Sequence, residues 1–508
     1  MGSQKYAGWR KPESTGLIPG LSGTMSIVAV GAGALAIGSA YLLHSMTGAA
    51  VILVIAVLLI GPSMLRFQGT SAGDYFVAWA RSLPIRRRLA HRYRTGLFAQ
   101  VPGGHSRLPG LASPIILDRL FDPMTGDDIG ALVNTVHRTV TIVMMCSATG
   151  RGTQPEDATN AQVAGWGEFL RRAGEFGDVA GIAAVTETSP ETGARYGVEI
   201  DRRRHDHAPR RVLQLMESRT GYPLDPDPDE WIADEPTSEL AADRIRYTQR
   251  VAVTFRYSSG NFRSGIESVS RHLEQLADAA AGAGLFATFA TVGEIVAFTH
   301  AAFNPAAGPI LDESMARTGD PGITWDDAGP TYHDDAHRYY IHDSGKSFTF
   351  RAYDFPVRPV EDSILENLLA PTHRAPYKRV TMIYRPYRPQ DAIETTDSDY
   401  RDAFQAVQRR KRGLVDARQQ MRFDDIAATR DDLAEGHGLT RVGMLVTVTV
   451  PVDASGVDEA AFIRGAGVAA STKFAACYAD QGAMFLSGLG IGVYPDMDET
   501  DMADILAA

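Results

Sequence analysis

Charge is missing from one long stretch of this 508-residue chain. Between Glu13 and Arg66 there is no Asp, Glu, Lys or Arg, and only His44 could carry a charge. Cysteine is scarce as well, because Cys146 and Cys477 are the only two and lie far apart. This scarcity excludes a disulfide scaffold and a cysteine-based zinc site, and it is typical of a reducing compartment. The hydrophobic fraction of 44% and charged fraction of 22% are ordinary for globular domains.

The uncharged stretch contains a glycine pattern seen in nucleotide-binding turns. Gly31-x-Gly33-x-x-Ala36 fits the form G-x-G-x-x-G/A. A dinucleotide site also needs an acidic residue about 20 positions later to bind the ribose. The next acidic residue is Asp74, which is too distant. We therefore predict that these glycines bind no cofactor.

The same stretch is long enough for two membrane spans. A helix needs about 20 apolar residues to cross about 30 Å of hydrocarbon, so we predict a transmembrane hairpin over residues 17–65, with spans near 17–43 and 48–65. Both flanks are basic, which predicts a multi-pass inner-membrane protein with both termini in the cytoplasm. The arginines of the basic collar, notably Arg86, Arg87 and Arg88, are expected to contact anionic lipid. Trp9 and Trp79 are expected to lie at the membrane interface, where tryptophan is enriched. We expect no contact with nucleic acid.

Changes in composition along the chain predict six segments. They are a cytoplasmic N-terminal segment (1–16), the transmembrane hairpin (17–65), a basic juxtamembrane collar with a Gly/Pro-rich connector (66–118), a first α/β lobe (119–320), a second α/β lobe (321–490) and an acidic tail (491–508). Strand and helix patterns alternate in two similar rounds, which predicts an α/β (α+β) cytoplasmic region of two related lobes. No residue-level repeat supports a duplication.

Gly345-Lys346-Ser347 matches the end of a Walker A motif. The motif requires glycine five positions before Gly345, where this chain has Tyr340, and it requires a helix after Ser347. The residues that follow have the pattern of a strand. We therefore predict a hairpin turn at 343–346 and no ATP hydrolysis by this chain.

Three further elements are predicted in the second lobe. The charge pattern indicates one long helix over residues 401–435, which forms either a solvated arm or a coiled contact, and we favour the arm. Hydrophobic spacing indicates a helix over residues 458–478 and a short strand near Met484.

Histidine pairs provide the only candidates for metal ligands. His333 and His337 are four residues apart, with Asp334 beside the first, as in a zincin motif. Pro330 precedes them and the following residues have an extended pattern, so we predict no metal site. We predict no catalytic, cofactor-binding or metal-binding residue and no enzymatic activity. A membrane-anchored hydrolase that uses His333 or His337 remains an alternative.

Several blocks of sequence together resemble a known family. They are "KYAGWRKPESTGLIPGLSG", "YRTGLFAQVPGGHSRLPGL" and "FRAYDFPVRPV" followed by "RVTMIYRPYRPQDA". They resemble an actinobacterial family of integral membrane proteins associated with conjugative or integrative elements. In outline the chain is similar to a PrgI-like membrane hairpin joined to the non-catalytic N-terminal region of VirB-type conjugation ATPases.

The resemblance implies a structural role. The chain would be an inner-membrane scaffold of a type IV-like conjugation or secretion apparatus, and its partners would be a separately encoded assembly ATPase and other membrane subunits. Interaction positions would be Trp9 and Arg10 near the membrane entry, and Phe355 and Pro356 at the contact between lobes. An EccE-like component of type VII secretion has the same layout and remains an alternative.

Overall fold

The computed structural model describes most of the chain beyond the N-terminal region. The described segments are residues 23–42, 65–95, 104–121, 128–148, 155–191, 245–257, 261–356, 360–409 and 417–494, together with scattered single positions between them. Helix α1 (Gly23–Leu42) lies within the first predicted membrane span, whereas most of the second span is outside the described residues. Within the described part of the chain, no helix reaches the length and apolarity that crossing a bilayer requires.

Strands and helices follow α1 along the chain. The strands are β1 (Arg66–Phe67), β2 (Thr70–Ser71), β3 (Arg92–Arg94), β4 (Ile115–Phe121), β5 (Asp128–Asn134), β6 (Thr139–Ala148), β7 (Val179–Pro190), β8 (Ile245–Arg256), β9 (Leu285–Phe289), β10 (Tyr332–Asp335), β11 (Tyr340–His342), β12 (Gly345–Asp354), β13 (Lys378–Pro386), β14 (Thr440–Pro451) and β15 (Lys473–Ala476). The helices after α1 are α2 (Ala72–Arg87), α3 (Glu156–Glu175), α4 (Phe262–Ser270), α5 (Leu273–Gly282), α6 (Val292–Phe303), α7 (Gly308–Thr318), α8 (Glu366–Leu369), α9 (Pro389–Arg409), α10 (Ala417–Ala434), α11 (Val457–Ala469) and α12 (Gln481–Ser487).

All strands after β2 join one antiparallel sheet, which confirms a mixed α/β fold. The order is β3-β10-β11-β12-β14-β13-β7-β8-β6-β5-β4, with β15 paired to β12 and β9 paired to β6. The predicted boundary at residue 320 falls between β4–β9, which form one half of the sheet, and β10–β15, which form the other. The two halves meet where β7 pairs with β13.

The two halves have the same strand order. The first runs β4-β5-β6-β8-β7, the second runs β10-β11-β12-β14-β13, and each carries one extra strand on its third member. Matching positions also carry matching side-chain contacts. The hydroxyls of Thr141 and Thr254 lie 2.8 Å apart across β6 and β8, and those of Ser347 and Thr449 lie 2.7 Å apart across β12 and β14.

Apolar side chains alternate between the faces of the sheet and create three buried clusters. One face carries α6, α12 and the C-terminal segment, whose side chains form a central cluster with residues from both halves of the sheet. The opposite face carries α3, α4 and α5 over the first half and α8 and α11 over the second half. This alternation is the expected pattern for strands that are covered on both sides.

The C-terminal strap, residues 488–494, is buried along its whole length. The main-chain oxygen of Leu489 accepts hydrogen bonds from the Arg250 guanidinium at 3.2 Å. The main-chain oxygen of Gly488 accepts one from the Thr381 hydroxyl at 2.7 Å. Because Arg250 and Thr381 belong to different halves, the strap joins them. The predicted acidic tail begins at residue 491, inside this strap, and residues 495–508 lie outside the described residues.

An ion triad lies at the seam between the halves. Glu187 of β7 accepts hydrogen bonds from Arg250 of β8 at 2.6 Å and from Arg379 of β13 at 3.0 Å. The side chains of the two arginines are only 1% and 5% exposed. Burial alone would raise the pKa of Glu187, but the charges of Arg379 and Arg250 lower it to about 2. The carboxylate therefore stays ionised at neutral pH.

The two edges of the sheet differ. β3, which belongs to the collar, pairs with β10 and covers one edge. At the other edge, β4 pairs only with β5 within the described residues. There the indole of Trp325 donates to the main-chain oxygen of Ile115 at 2.9 Å, and the Asp118 carboxylate accepts from the main-chain nitrogen of Arg119 at 2.8 Å. Such contacts make an exposed edge less available to another strand.

The local predictions have mixed outcomes. The hairpin is confirmed, because β11 and β12 are joined by Asp343-Ser344, and Asp343 has a φ of 40°. The single helix over 401–435 is wrong, since two helices, α9 and α10, pack against each other. The helix over 458–478 is also wrong, because α11 ends at Ala469 and β15 follows. The strand near Met484 is instead helix α12.

Candidate functional site

The collar begins with the small hairpin β1–β2 and continues as helix α2. The turn requires glycine, since Gly69 has a φ of 79° and a Cβ there would lie 2.6 Å from the Tyr353 ring. Ser71 caps the helix by accepting from the main-chain nitrogen of Asp74 at 3.1 Å. The Asp74 carboxylate lies in the first turn, and Arg86 and Arg87 lie in the last turn. Negative charge near the N-terminus and positive charge near the C-terminus both interact favourably with the helix dipole.

The collar is fixed to the sheet at both of its ends. At the C-terminal end, β3 pairs with β10, and Arg92 donates to the Asp334 carboxylate at 2.9 Å. The main-chain nitrogen of Thr95 donates to Thr331 at 2.7 Å. At the N-terminal end, Arg351 of β12 donates a hydrogen bond to the hydroxyl of Thr70. The collar is therefore part of the same packed unit as the sheet.

Helix α2 also contacts the body along its inner side. The rings of Tyr75 and Tyr478 meet edge to face with centroids 5.4 Å apart. The hydroxyl of Ser82 lies 3.1 Å from Nε2 of His337. The same hydroxyl donates to the main-chain oxygen of Trp79 at 2.7 Å, so this carbonyl competes with His337 for the serine proton.

Two half-buried aspartates lie at or beside residues that contact the docked helix. Nη2 of Arg86 donates to the main-chain oxygen of Asp335 at 3.1 Å, and the Asp335 carboxylate accepts from the main-chain nitrogen of Gly482 at 3.0 Å. Burial raises the pKa of Asp335 to about 6, although the Gly482 hydrogen bond opposes the shift. Burial likewise raises the pKa of Asp480 to about 6 against the charge of Arg351. Both carboxylates are costly to keep charged.

We expect Asp480→Asn to stabilise the folded protein at neutral pH. An unfolded Asp titrates near pH 3.9, so the folded-state pKa of about 6 is raised. The stability that this group contributes is complete below about pH 4 and is lost as the pH rises to about 6. The variant should therefore exceed the wild type by about 1–3 kcal/mol at pH 7.5, with little difference at pH 4. Urea unfolding at both pH values measures this.

Asp326→Asn is the matched control for that experiment. Asp326 is 52% exposed and pairs with Arg107 at 3.2 Å, so its replacement should change the free energy of unfolding by less than about 1 kcal/mol at either pH. A lower stability of Asp480→Asn at pH 7.5 would contradict the expected burial cost.

The candidate metal ligands do not converge. His333 lies in β10 with its ring 5.4 Å from Tyr93 and 5.5 Å from Tyr340, and burial lowers its pKa to about 4. His337 lies in the turn after that strand, so the two imidazoles do not share a helix face as zincin ligands do. Within the described residues, no three His, Cys, Asp or Glu side chains could together hold a metal ion.

The collar exposes both apolar and basic side chains. We define the collar surface as its exposed large apolar and arginine side chains: Phe67, Phe76, Trp79, Ile85, Leu89, Arg81, Arg87, Arg88, Arg92 and Arg94. Phe76 is 54% exposed and Trp79 is 42% exposed, and their ring centroids are 5.7 Å apart. The two rings are three residues apart on α2, so they lie on the same side of the helix.

The predicted interaction residues have different positions. Arg87 and Arg88 are exposed on the collar surface. Arg86 is half-buried and donates to the main chain of the sheet, so it docks the collar and is directed away from solvent. Trp9 and Arg10 lie outside the described residues.

Phe355 requires a correction. The sequence predicts it at a contact between lobes, but it is 8% exposed and packs in the core of the second half, in the cluster that contains Leu368 of α8. An aromatic ring next to a strand end fills the space under that helix. Pro356 beside it is half-buried.

Sequence reasoning did not single out Phe76, whose exposed ring lies beside Trp79. Its spacing from Trp79 within an arginine-rich segment was the available signal.

A scan of protein-family models and a search of curated proteins found no match to this chain.

Proposed function

We propose that this protein is an inner-membrane scaffold of a type IV-like conjugation or secretion apparatus that docks a separately encoded assembly ATPase at the cytoplasmic face. The uncharged stretch up to residue 65 would form the transmembrane hairpin, with both termini in the cytoplasm. The two halves of the sheet would correspond to the two related lobes predicted from the sequence. Anionic lipid and other membrane subunits would be further partners.

The attachment of the collar to the sheet carries this proposal. β3 adds directly to the sheet edge at β10, and Arg351 contacts Thr70 at the other end of the collar. A membrane segment that leads into this collar would hold the sheet in a fixed orientation, which is what a scaffold requires. Residues 343–346 support a structural role, since they join two strands and do not form a phosphate loop.

Affinity purification of the tagged full-length chain from its own host tests the proposal. After mild detergent extraction, we expect recovery of an assembly ATPase and no ATP turnover by the chain alone. A tagged two-span membrane protein from the same host is the control. Recovery of ESX-type subunits would replace the proposal with a role in type VII secretion, whereas a lone monomer would contradict both.

The hydrolase alternative rests on a single contact. Ser82 and His337 lie 3.1 Å apart, and the Trp79 main-chain oxygen, 2.7 Å from the Ser82 hydroxyl, competes with the imidazole for the serine proton. Substitution of both residues by alanine should therefore leave transfer or secretion unchanged. Loss of transfer with retained folding would revive this alternative.

A further inference from the structure

We propose that the collar surface lies on the headgroup layer of an anionic bilayer and sets the orientation of the whole sheet relative to the membrane. This inference rests on the proposed membrane-anchored function. It adds which side chains contact lipid and which edge of the sheet faces the membrane.

The first argument is the concentration of exposed apolar side chains. Five large apolar side chains between residues 67 and 89 are 42–59% exposed, and two of them are aromatic residues on the same side of α2. A soluble surface seldom groups such residues unless it binds something. Tryptophan is enriched where a protein meets the membrane–water interface.

The second argument is charge. The collar surface has five exposed arginines, of which Arg92 is paired with Asp334, and Asp74 is the only acidic residue between 66 and 94. The Asp74 carboxylate accepts a hydrogen bond from the Ser71 hydroxyl at 2.7 Å, so it belongs to the helix cap. Anionic headgroups would attract a surface of this charge.

The third argument favours lipid over a second copy of the chain as the partner that covers the collar surface. A two-fold contact would place the collar surface opposite itself, so arginines would face arginines. Lipid involves no such repulsion. The chain also arrives from the predicted membrane span, because the main-chain nitrogen of Ala72 donates to Leu65 at 2.9 Å and α1 contacts α2.

The orientation follows from the sheet order. β3, the last element of the collar, forms one edge, and β4 forms the opposite edge, ten inter-strand spacings away. At about 4.8 Å per spacing, the two edges are about 48 Å apart along the sheet. The first half of the sheet would then extend into the cytoplasm, where a soluble partner could reach it.

Photo-cross-linking of the full-length chain tests this inference. A benzoylphenylalanine at position 79 reports on the collar surface, and the same group at position 286 is the control, since Phe286 is 68% exposed in β9 of the first half. In phosphatidylglycerol-containing vesicles we expect at least fivefold more lipid adduct at position 79. Equal lipid yields at the two positions, or mainly protein adducts at position 79, would overturn the inference.

A charge-reversal pair tests the electrostatic part. Arg87→Glu with Arg88→Glu changes only exposed side chains, and circular dichroism checks that the variant folds. We expect the lipid adduct at position 79 to fall severalfold in phosphatidylglycerol vesicles and to be unchanged in phosphatidylcholine vesicles. An unchanged yield in both would contradict the role of the arginines. Absence of an ATPase in the purification would leave these yields unaffected, so the two proposals fail separately.

Discussion

Glu187→Gln is expected to lower the free energy of unfolding by about 3–5 kcal/mol, because it leaves two buried arginines facing each other without a counter-charge. Arg250 and Arg379 both donate to Glu187, and their side chains are almost fully buried. Chemical denaturation measures the loss. Since the pKa of Glu187 is lowered to about 2 in the folded state, its contribution is present above about pH 4.3 and disappears as the pH falls towards 2.

Glu168→Gln is the matched control. Glu168 also contacts two arginines, Arg171 and Arg172, but on the surface of α3, where its side chain is 42% exposed. Solvent screens that cluster, so the same chemical change should cost less than about 1 kcal/mol. If the two variants lose equal stability, the buried triad is not what holds the seam.

A triple replacement separates the cost of an unpaired charge from the value of the triad. Removing all three charges, as Glu187→Leu with Arg250→Met and Arg379→Met, leaves no charge in the triad. Such apolar replacements are often neutral or stabilising, but Arg250→Met also removes the donor to the Leu489 main-chain oxygen, so we expect the triple variant to recover part of the stability lost by Glu187→Gln. Hydrogen exchange should locate the weakening in β7 and β13, the strands that join the halves.

Local pattern predicted many strands but could not predict their order. The apolar and β-branched runs at 139–147 and 440–450 identify β6 and β14, because side-chain alternation is a local property. The pairing of β7 with β13 joins residues almost 200 positions apart, and no local signal encodes it. The identical order of the two halves appears only when the pairings are known.

Short apolar runs were the main source of wrong secondary-structure predictions. The sequence around Met484 fits either a buried strand or a buried helix. The helix is selected by a tertiary contact, because the Gln481 side chain accepts from the main-chain nitrogen of Thr349 at 2.9 Å and donates to its oxygen at 3.2 Å. A sequence window around residue 484 does not contain residue 349.

The collar was partly predictable for a similar reason. The run of arginines in the sequence identified a basic segment. Which of these arginines remain exposed depends on how α2 is rotated about its axis when it packs against the sheet. Arg86 points to Asp335 of β10, whereas Arg87 and Arg88 point to solvent. Only the docked position of α2 distinguishes these three consecutive residues.

Truncation before the strap is the second large effect we expect. Removal of residues 488–508 takes away the buried side chains of Leu489, Ile491, Val493 and Tyr494. At about 1.5–3 kcal/mol for each buried side chain, the loss is comparable with the whole stability of a typical domain, about 5–15 kcal/mol. The truncated chain should fail to fold. Removal of residues 495–508 alone keeps the whole strap and is the comparison, and a loss as large as that of the longer truncation would contradict the role of the strap.

Gly492→Ala tests the strap with one methyl group. Gly492 has a φ of +82°, and a Cβ there would lie 2.1 Å from the Thr141 hydroxyl oxygen. The left-handed backbone costs about 1–2 kcal/mol for alanine and overpacking adds about 1–3 kcal/mol, so denaturation should show a loss of about 2–5 kcal/mol. Gly465→Ala in α11 is the control, since no atom lies within 4 Å of its added Cβ, and it should stabilise by about 0.5–1 kcal/mol. A neutral Gly492→Ala would mean that the strap is not held against β6.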